Sequence, residues 1–120
     1  MFERGDLVLI PFPFSDLSAT KKRPVLLLTR PDTYGDFIAL AVTSRPQTDH
    51  GIALDPTDLV QGSLPLTSWI RTDRAVTLNA SLVVKGFGRA SEMVITAALA
   101  RLCAYVGQGG PNGQPSSSSS

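Results

Sequence analysis

Short apolar segments separated by turn-forming residues fill most of the first ninety positions of the chain. Prolines close the first segment, an Arg-Pro-Asp sequence closes the second, and a Tyr-Gly-Asp turn precedes the third, which is typical of strands. The third segment is apolar at every position, so it predicts a strand buried on both faces in the middle of a small barrel. The predicted strands cover residues 6–10, 25–29, 37–42, 52–54 and 82–87, and residues 68–72 and 75–78 form one bent strand or a hairpin.

Two other segments carry helix signals. Residues 55–62 begin with an N-cap candidate, contain a proline just inside and end in a glycine, which predicts a short helical turn. Ser91 is the N-cap candidate of a longer amphipathic helix with Glu92 in its first turn. Its apolar residues recur at helical spacing: Ile95, Ala98, Leu99, Leu102 and Val106. Strands followed by one terminal helix predict a mainly β fold, a small barrel of strongly bent antiparallel strands with the C-terminal helix packed against it.

Length and composition favour one domain in a reducing compartment. The chain has 120 residues, and we expect a domain over residues 1–106 and a disordered Gly/Pro/Ser-rich tail over 107–120. No apolar run approaches the length of a membrane span and the first residues do not resemble a secretory signal, so we expect a soluble, cytoplasmic protein. A single cysteine, Cys103, excludes an internal disulfide, and with only one histidine the chain is not expected to bind a metal or another cofactor.

Charge predicts a local basic patch. The formal net charge of +1 argues against a protein that coats nucleic acid by bulk electrostatics. The basic residues nevertheless lie near predicted strand ends: Lys21, Lys22, Arg23, Arg30, Arg45, Arg71, Arg74, Lys85 and Arg89. An ordinary mixed surface, with the acidic residues as neighbours, is the alternative.

Two segments carry the candidate chemistry. A basic turn leads through Arg23 and Pro24 into a buried strand, and Pro24 marks an edge strand or a first strand position because proline donates no backbone hydrogen bond. Thr43 and Ser44 end the following strand. If the two strands pair, Arg23 and Thr43 converge on one phosphate, which indicates a cleft that binds RNA.

These residues resemble a known family. The sequence from Arg4 to Asp16, the stretch Lys22-Arg23-Pro24 with its aliphatic strand, and the Ala-Val-Thr-Ser sequence that ends in Ser44 are similar to the PemK/MazF toxins of type II toxin-antitoxin pairs. The resemblance extends over about residues 4 to 105. It implies an SH3-like barrel that dimerises and cuts single-stranded RNA at specific sequences without a metal, leaving a cyclic phosphate and a 5′-hydroxyl, until a cognate antitoxin neutralises it.

The resemblance also assigns roles to individual residues. It implies that Arg23 and Thr43 are catalytic. The substrate-binding candidates lie in the loop before the basic turn, in the turn itself and at the Thr-Ser pair. They are Ser15, Lys21, Lys22, Ser44 and Arg45.

The chemistry of RNA cleavage fits these roles. Attack by a ribose 2′-hydroxyl on its own phosphodiester requires in-line placement and compensation of charge on the phosphate oxygens. Arg23 is suited to clamp those oxygens because its guanidinium stays protonated and binds phosphate bidentately, and Thr43 donates one further hydrogen bond. Histidine is the residue type whose unperturbed pKa suits a proton acceptor at neutral pH, but a solvated loop position is the favoured interpretation of His50. We therefore expect a site built on orientation and electrostatics.

Other side chains have two interpretations each. Trp69 either stacks on an unpaired base or, as is more usual for a tryptophan in a strand, belongs to the core. Phe12 and Phe14 line a groove or form a buried pair, and Cys103 is expected to be a small buried residue.

Two functions stay open at this point. The first is a ribonuclease held inactive by a partner whose acidic or apolar segment fills the RNA groove. The second is a binding module of the same fold without catalysis, which binds nucleic acid or poisons a protein such as gyrase. The presence of both Arg23 and Thr43 favours the first.

Overall fold

A sheet of seven antiparallel strands, curled into a half-barrel, makes up most of the molecule. The computed structural model describes residues 2–11, 22–64 and 66–109. The strands within these ranges are β1 (Asp6–Pro11), β2 (Lys22–Leu27), β3 (Asp36–Thr43), β4 (Gly51–Leu54), β5 (Leu59–Gly62), β6 (Ser68–Asn79) and β7 (Lys85–Ala90), and helix α1 (Glu92–Gly107) follows them. The order across the sheet is β4-β6-β3-β2-β1-β7-β5. The predicted fold class, mainly β with one C-terminal helix, is confirmed.

Most predicted strands are present, and two bounds predicted at the sheet margin are wrong. The short helical turn predicted over residues 55–62 is present as one 3-10 turn, Pro56–Asp58, but it ends there because the next residues pair with β7 through Leu59↔Ala90 and Gly62↔Gly88. Strand β7 begins three residues later than predicted, since Ala80–Leu82 form a second 3-10 turn. Residues 68–79 form one continuous strand, which is the bent strand of the two alternatives.

Alternating side chains of the central strands form two separate apolar clusters. On β2, Val25 and Leu27 belong to one cluster and Leu26 to the other, and all three are fully buried. Strand β3 is buried on both faces at most positions, as predicted, although Ile38 is 43% exposed. Burial on both sides explains why the central strands have continuous apolar runs rather than alternating polar positions.

Helix α1 covers one of these clusters with its first two turns. Its N-cap is Ser91, whose Oγ accepts a hydrogen bond from the Val94 N–H at 3.4 Å. Val94, Ile95 and Ala98 are its buried residues, so the predicted apolar face is confirmed there. The last turn lies beyond these contacts, and Val106 is 66% exposed.

The prediction that Cys103 is buried is wrong. Cys103 is exposed. It follows Leu102, which packs against the core, and successive helix residues point about 100° apart, so Cys103 faces away from the sheet. No helix in the described ranges has the length and apolar character needed to cross a membrane.

Candidate functional site

The paired strands β2 and β3 bring the two segments with candidate chemistry to the same end of the sheet. Their register runs through Leu27↔Ala39 and Val25↔Ala41, and the same register continued by two residues leads to Arg23 and Thr43. On its other side Arg23 pairs with Ile10 of β1. The predicted pairing of the two strands is therefore confirmed.

Pro24 has a role in the sheet that the sequence did not predict. Strand β2 lies in the middle of the sheet, not at an edge, and Pro24 is its third residue. Leu28 donates its N–H to the Ile38 carbonyl at 2.8 Å, so by strand alternation the backbone nitrogen of residue 24 also faces β3. Because proline has no N–H, the β2–β3 ladder stops at Val25, immediately before the candidate residues.

A cleft of about 990 Å³ opens at this end of the sheet. Its lining includes five of the seven residues predicted to form the site: Lys22, Arg23, Thr43, Ser44 and Arg45. The other two, Ser15 and Lys21, lie outside the described residues, as do Phe12 and Phe14. Two further cationic side chains, several apolar ones, Ser63, Ser68 and Gln47 complete the described wall.

The charge of this cleft is one-sided. Its described lining contains five cationic side chains: Lys22, Arg23, Arg45, Arg71 and Lys85. No aspartate or glutamate occurs among those lining residues. In a chain whose formal net charge is only +1, this concentration of charge produces the predicted basic patch.

Thr43 is oriented by a local hydrogen bond. Its Oγ1 accepts a hydrogen bond from the Arg45 N–H at 3.1 Å, in a turn that ends β3. A hydroxyl that accepts from the backbone keeps its own hydrogen for donation. Thr43 is thus arranged to donate to a ligand oxygen in the cleft.

Arg71 and Asp73 form an ion pair that was not predicted from the sequence. The Arg71 Nε lies 3.1 Å from Oδ1 of Asp73 and its terminal nitrogen 2.7 Å from Oδ2, so the pair is bidentate. The two side chains are 26% and 13% exposed. The signal was an arginine and an aspartate two positions apart on one strand, since such residues share a face of the sheet.

Asp73 is ionised in this setting and fixes Arg71. Partial burial works to raise the pKa of the Asp73 carboxyl, but the hydrogen bonds and charge of Arg71, with a smaller contribution from His50, lower it overall. A carboxylate of lowered pKa is a weak base, so its function here is to orient the guanidinium that lines the cleft.

His50 lies outside the cleft lining. It was predicted to be solvated in a loop, but it is partly buried, with its ring packed edge-on against Tyr105 of α1 at a centroid distance of 4.9 Å. Its carbonyl accepts hydrogen bonds from the N–H and Oγ1 of Thr72 at 2.8 and 2.6 Å. Trp69 also lies outside the lining and is partly buried in β6.

The described residues also show where basic residues are paired away from the cleft. Arg30 lies 3.5 Å from Glu3 and Arg89 lies 2.8 Å from Asp6, so both belong to ion pairs near the N-terminal segment. Among the described residues, no group of three or more His, Cys, Asp or Glu side chains is arranged to hold a metal ion.

The described chain is thus a curled β half-barrel with a terminal helix and a basic cleft at the strand ends. The chain belongs to the family of PemK-like, MazF-like toxins of type II toxin-antitoxin systems, whose model matches residues 3–106. The family predicted from the sequence motifs is therefore confirmed. No curated protein matches the chain.

Solved structures share this fold at low sequence identity. One is an endoribonuclease in complex with its cognate antitoxin from a mycobacterial species, with a TM-score of 0.70, 19% identity and coverage of 92% of this chain and 100% of that one. Another is MazE-MazF (form III) from Deinococcus radiodurans, with a TM-score of 0.71, 20% identity and coverage of 88% and 96%. The Mycobacterium tuberculosis toxin MazF-mt6 has a TM-score of 0.60 and 20% identity, with 81% and 90% of the two chains covered.

Proposed function

We propose that this protein is a toxin endoribonuclease that cleaves single-stranded RNA, including mRNA, at specific sequences. The observation that carries the proposal is the cleft that brings Arg23 and Thr43 together among five cationic side chains, with no carboxylate in its described lining. Such a cleft is suited to a polyanion whose reacting group is a phosphodiester. Membership of the toxin family and the endoribonuclease of the same fold support this choice over other polyanions.

The proposed reaction is an internal transfer at phosphorus. The ribose 2′-oxygen forms a bond to the adjacent phosphorus as the bond to the 5′-oxygen of the next nucleotide breaks, which gives a 2′,3′-cyclic phosphate and a 5′-hydroxyl. The 2′-hydroxyl loses its proton to water, and the leaving oxygen gains one from water. No metal ion or other cofactor takes part in this scheme.

The catalytic roles follow from the chemistry of each side chain. Arg23 binds the nonbridging phosphate oxygens through its planar fork and stabilises the negative charge that they gain in the transition state. Thr43 donates its hydroxyl hydrogen to one of these oxygens. Arg71 supplies a second guanidinium, which Asp73 holds in a fixed orientation.

The remaining cleft residues bind the RNA on either side of the cleaved bond. Lys22, Ser44, Arg45 and Lys85 line the cleft and are placed to contact flanking phosphates. Ser15 and Lys21 stay predictions of the sequence for the same purpose.

The proposal includes two protein partners. A cognate antitoxin would inhibit the enzyme by placing an acidic or apolar segment in the basic cleft, and several structures of this fold are complexes of a toxin with its antitoxin. We expect the toxin to act as a homodimer in the cytoplasm. Membership of a family of toxin-antitoxin toxins supports the antitoxin partner.

The test is metal-free cleavage of a long single-stranded RNA by the purified protein in EDTA. Arg23→Ala is the informative variant, and Arg101→Ala is its matched control, because Arg101 is an exposed cation on α1 that does not line the cleft. Discrete cuts with cyclic phosphate ends, present with Arg101→Ala and absent with Arg23→Ala, would support the proposal. RNA left intact by the wild type would refute it and leave a toxin that acts by binding alone.

A further inference from the structure

Strand β6 departs from its pairing with β3 beside the proposed active site. Val42 of β3 pairs with Ile70 of β6. Leu40, two positions back along β3, pairs with Ala75, which is five positions further along β6. Residues 71–74 of β6 therefore lie opposite one residue of β3 and form a bulge in the ladder. This bulge contains the ion pair at the wall of the cleft.

Thr72 ties this bulge to the loop that precedes β4. Arg71 and Asp73 share one face of β6, so Thr72 between them points to the other face, where it is only 1% exposed. Its Oγ1 donates a hydrogen bond to the carbonyl oxygen of His50 at 2.6 Å, and its N–H donates to the same oxygen at 2.8 Å. The two bonds together use both lone pairs of that oxygen.

The loop that accepts these bonds is itself held in place. The ring of His50 packs against Tyr105 of α1 at a centroid distance of 4.9 Å. The next residue, Gly51, pairs with Arg71. A β-carbon on Gly51 would clash with the side chain and carbonyl of Gln47, so only glycine allows this close approach. Because Gln47 lines the cleft, the loop that bonds to the bulge is also part of the cleft wall.

The Thr72 hydroxyl therefore connects two parts of the cleft that carry different donors. The loop begins at Thr43, and the bulge presents Arg71. The bidentate pair with Asp73 fixes the Arg71 guanidinium relative to its own strand. The bond from Thr72 to the loop fixes that strand relative to the loop and hence to Thr43.

We propose that Thr72 is a positioning residue of the active site, whose buried hydroxyl sets the place of the Arg71 guanidinium relative to Thr43. The inference rests on the proposed function and adds to it a residue that does not line the described cleft. In-line transfer at phosphorus requires that two donors to one phosphate keep a fixed separation. At the bulge the regular bonds to β3 are interrupted, so the hydroxyl bond supplies a constraint that the ladder does not.

The test separates the hydroxyl from the shape of the side chain. Thr72→Val removes the hydroxyl and keeps the branched shape, whereas Thr72→Ser keeps the hydroxyl. Thr77→Val is the matched control, because Thr77 is an exposed residue of the same strand that does not line the cleft. Initial rates of cleavage of an RNA oligonucleotide with one mapped site give kcat and KM for each variant. Thr72→Val is also measured in the Arg71→Ala background.

The expected result is a loss of kcat that depends on Arg71. Thr72→Val should lower kcat by about tenfold, less than the roughly 100-fold cost of a 1 Å misplacement, since the bond from the residue 72 N–H remains. KM should change by less than about 4-fold, because Arg71 keeps its charge. Thr72→Ser should recover most of kcat, and Thr77→Val should match the wild type within about twofold. In the Arg71→Ala background, Thr72→Val should change kcat by less than about twofold, because the group that the hydroxyl positions is absent.

Two kinetic results would overturn the assignment. An equal fall in kcat with and without Arg71 would show that the hydroxyl supports the fold and does not act through the guanidinium. An unchanged kcat for Thr72→Val would show that the ion pair is positioned without it.

Hydrogen exchange of the residue 72 amide tests the same bond without RNA. In Thr72→Val this amide should exchange about tenfold faster than in the wild type, whereas in Thr72→Ser it should stay protected. Equal protection in all three proteins would reject the positioning role. Absence of cleavage by the wild type would reject the nuclease instead, and the exchange rates would then decide whether the hydroxyl holds the bulge.

Discussion

Arg23 provides the sharpest quantitative test of the active site. Its backbone is fixed by pairing with Ile10, its side chain is partly buried at the cleft, and no described carboxylate forms an ion pair with it. Within residues 2–11, 22–64 and 66–109, therefore, no ion pair competes with RNA for its guanidinium. Replacement by alanine removes this charge without removing a buried apolar group or breaking an ion pair within the described residues.

The expected size of the effect differs between binding and catalysis. Loss of one phosphate contact to a single strand weakens binding by about 4-fold at 0.15 M salt, from a salt exponent of about 0.7 per contact. Loss of a charge-stabilising donor in the transition state costs about 100-fold to 1,000-fold in rate. Arg23→Ala should therefore lower kcat by at least about 100-fold while KM rises only about 4-fold.

The assay is initial-rate cleavage of a fluorescent RNA oligonucleotide that contains one mapped site. Arg23→Lys should recover most of the binding and little of kcat, because lysine keeps the charge but lacks the planar fork. Arg101→Ala controls for loss of one positive charge far from the cleft. A fall in kcat below about tenfold, with KM raised as expected, would show that Arg23 is only a phosphate contact and would refute the catalytic assignment.

Three further predictions concern neighbouring features. Asp73→Asn should lower kcat by up to about 100-fold through loss of Arg71 orientation, measured by RNA cleavage. The pKa of Asp73 is lowered in the fold, so its ionised form stabilises the protein at neutral pH, and this contribution is lost as pH falls below about 4. The difference in free energy of unfolding between the wild type and Asp73→Asn should therefore shrink on acidification. A difference that grows would contradict this. The slope of log affinity against log salt for single-stranded RNA should be no steeper than about −3.5 for the five described cations of the cleft. Lys85→Ala should make it less steep by about 0.7, and an unchanged slope excludes Lys85 as a phosphate contact. Gly62→Ala should lower the free energy of unfolding by at least about 1 kcal/mol, because Gly62 has a φ of +82° and lies against the backbone of Gly88. An unchanged midpoint of urea unfolding would show that alanine is not strained at this position.

Much of the architecture could be predicted from local sequence signals. Apolar runs bounded by Pro, Gly and Asp located the central strands, and Ser91 with the spacing of Ile95 and Ala98 located the helix. The convergence of Arg23 and Thr43 needed only that successive strands pair, which adjacent strands commonly do. These features depend on residues close together in the chain.

The features that were missed depend on residues far apart in the chain. Strand β5, which was not predicted, follows the helical turn after Asp55 because β7, about thirty residues later, pairs with Leu59. The β-bulge that leaves Phe87 as an extra residue of β7 depends on the pairing of β7 with β1, which no local pattern encodes. Exposure of Cys103 and Val106 likewise depends on how far the sheet extends beneath the helix.

Pro24 shows how a departure from strand rules serves the site. A central strand rarely contains proline. The nitrogen of Pro24, which carries no hydrogen, faces β3 at the position where the ladder would otherwise continue toward Arg23 and Thr43. Departures of this kind tend to occur at functional positions. We infer that Pro24 keeps the two strands from pairing at the cleft.

Pro24→Ala tests this inference. The new N–H at residue 24 should donate to β3, extend the ladder and narrow the cleft. The gain of a hydrogen bond, about 1 kcal/mol, is offset by the greater entropy of the unfolded chain, so stability should change by less than about 1 kcal/mol. Cleavage should nevertheless fall, since a misplacement of about 1 Å costs up to about 100-fold in rate. Hydrogen exchange of the new amide provides the decisive measurement: a protected amide with lowered kcat supports the inference, whereas a freely exchanging amide with normal kcat shows that the cleft stays open without the proline.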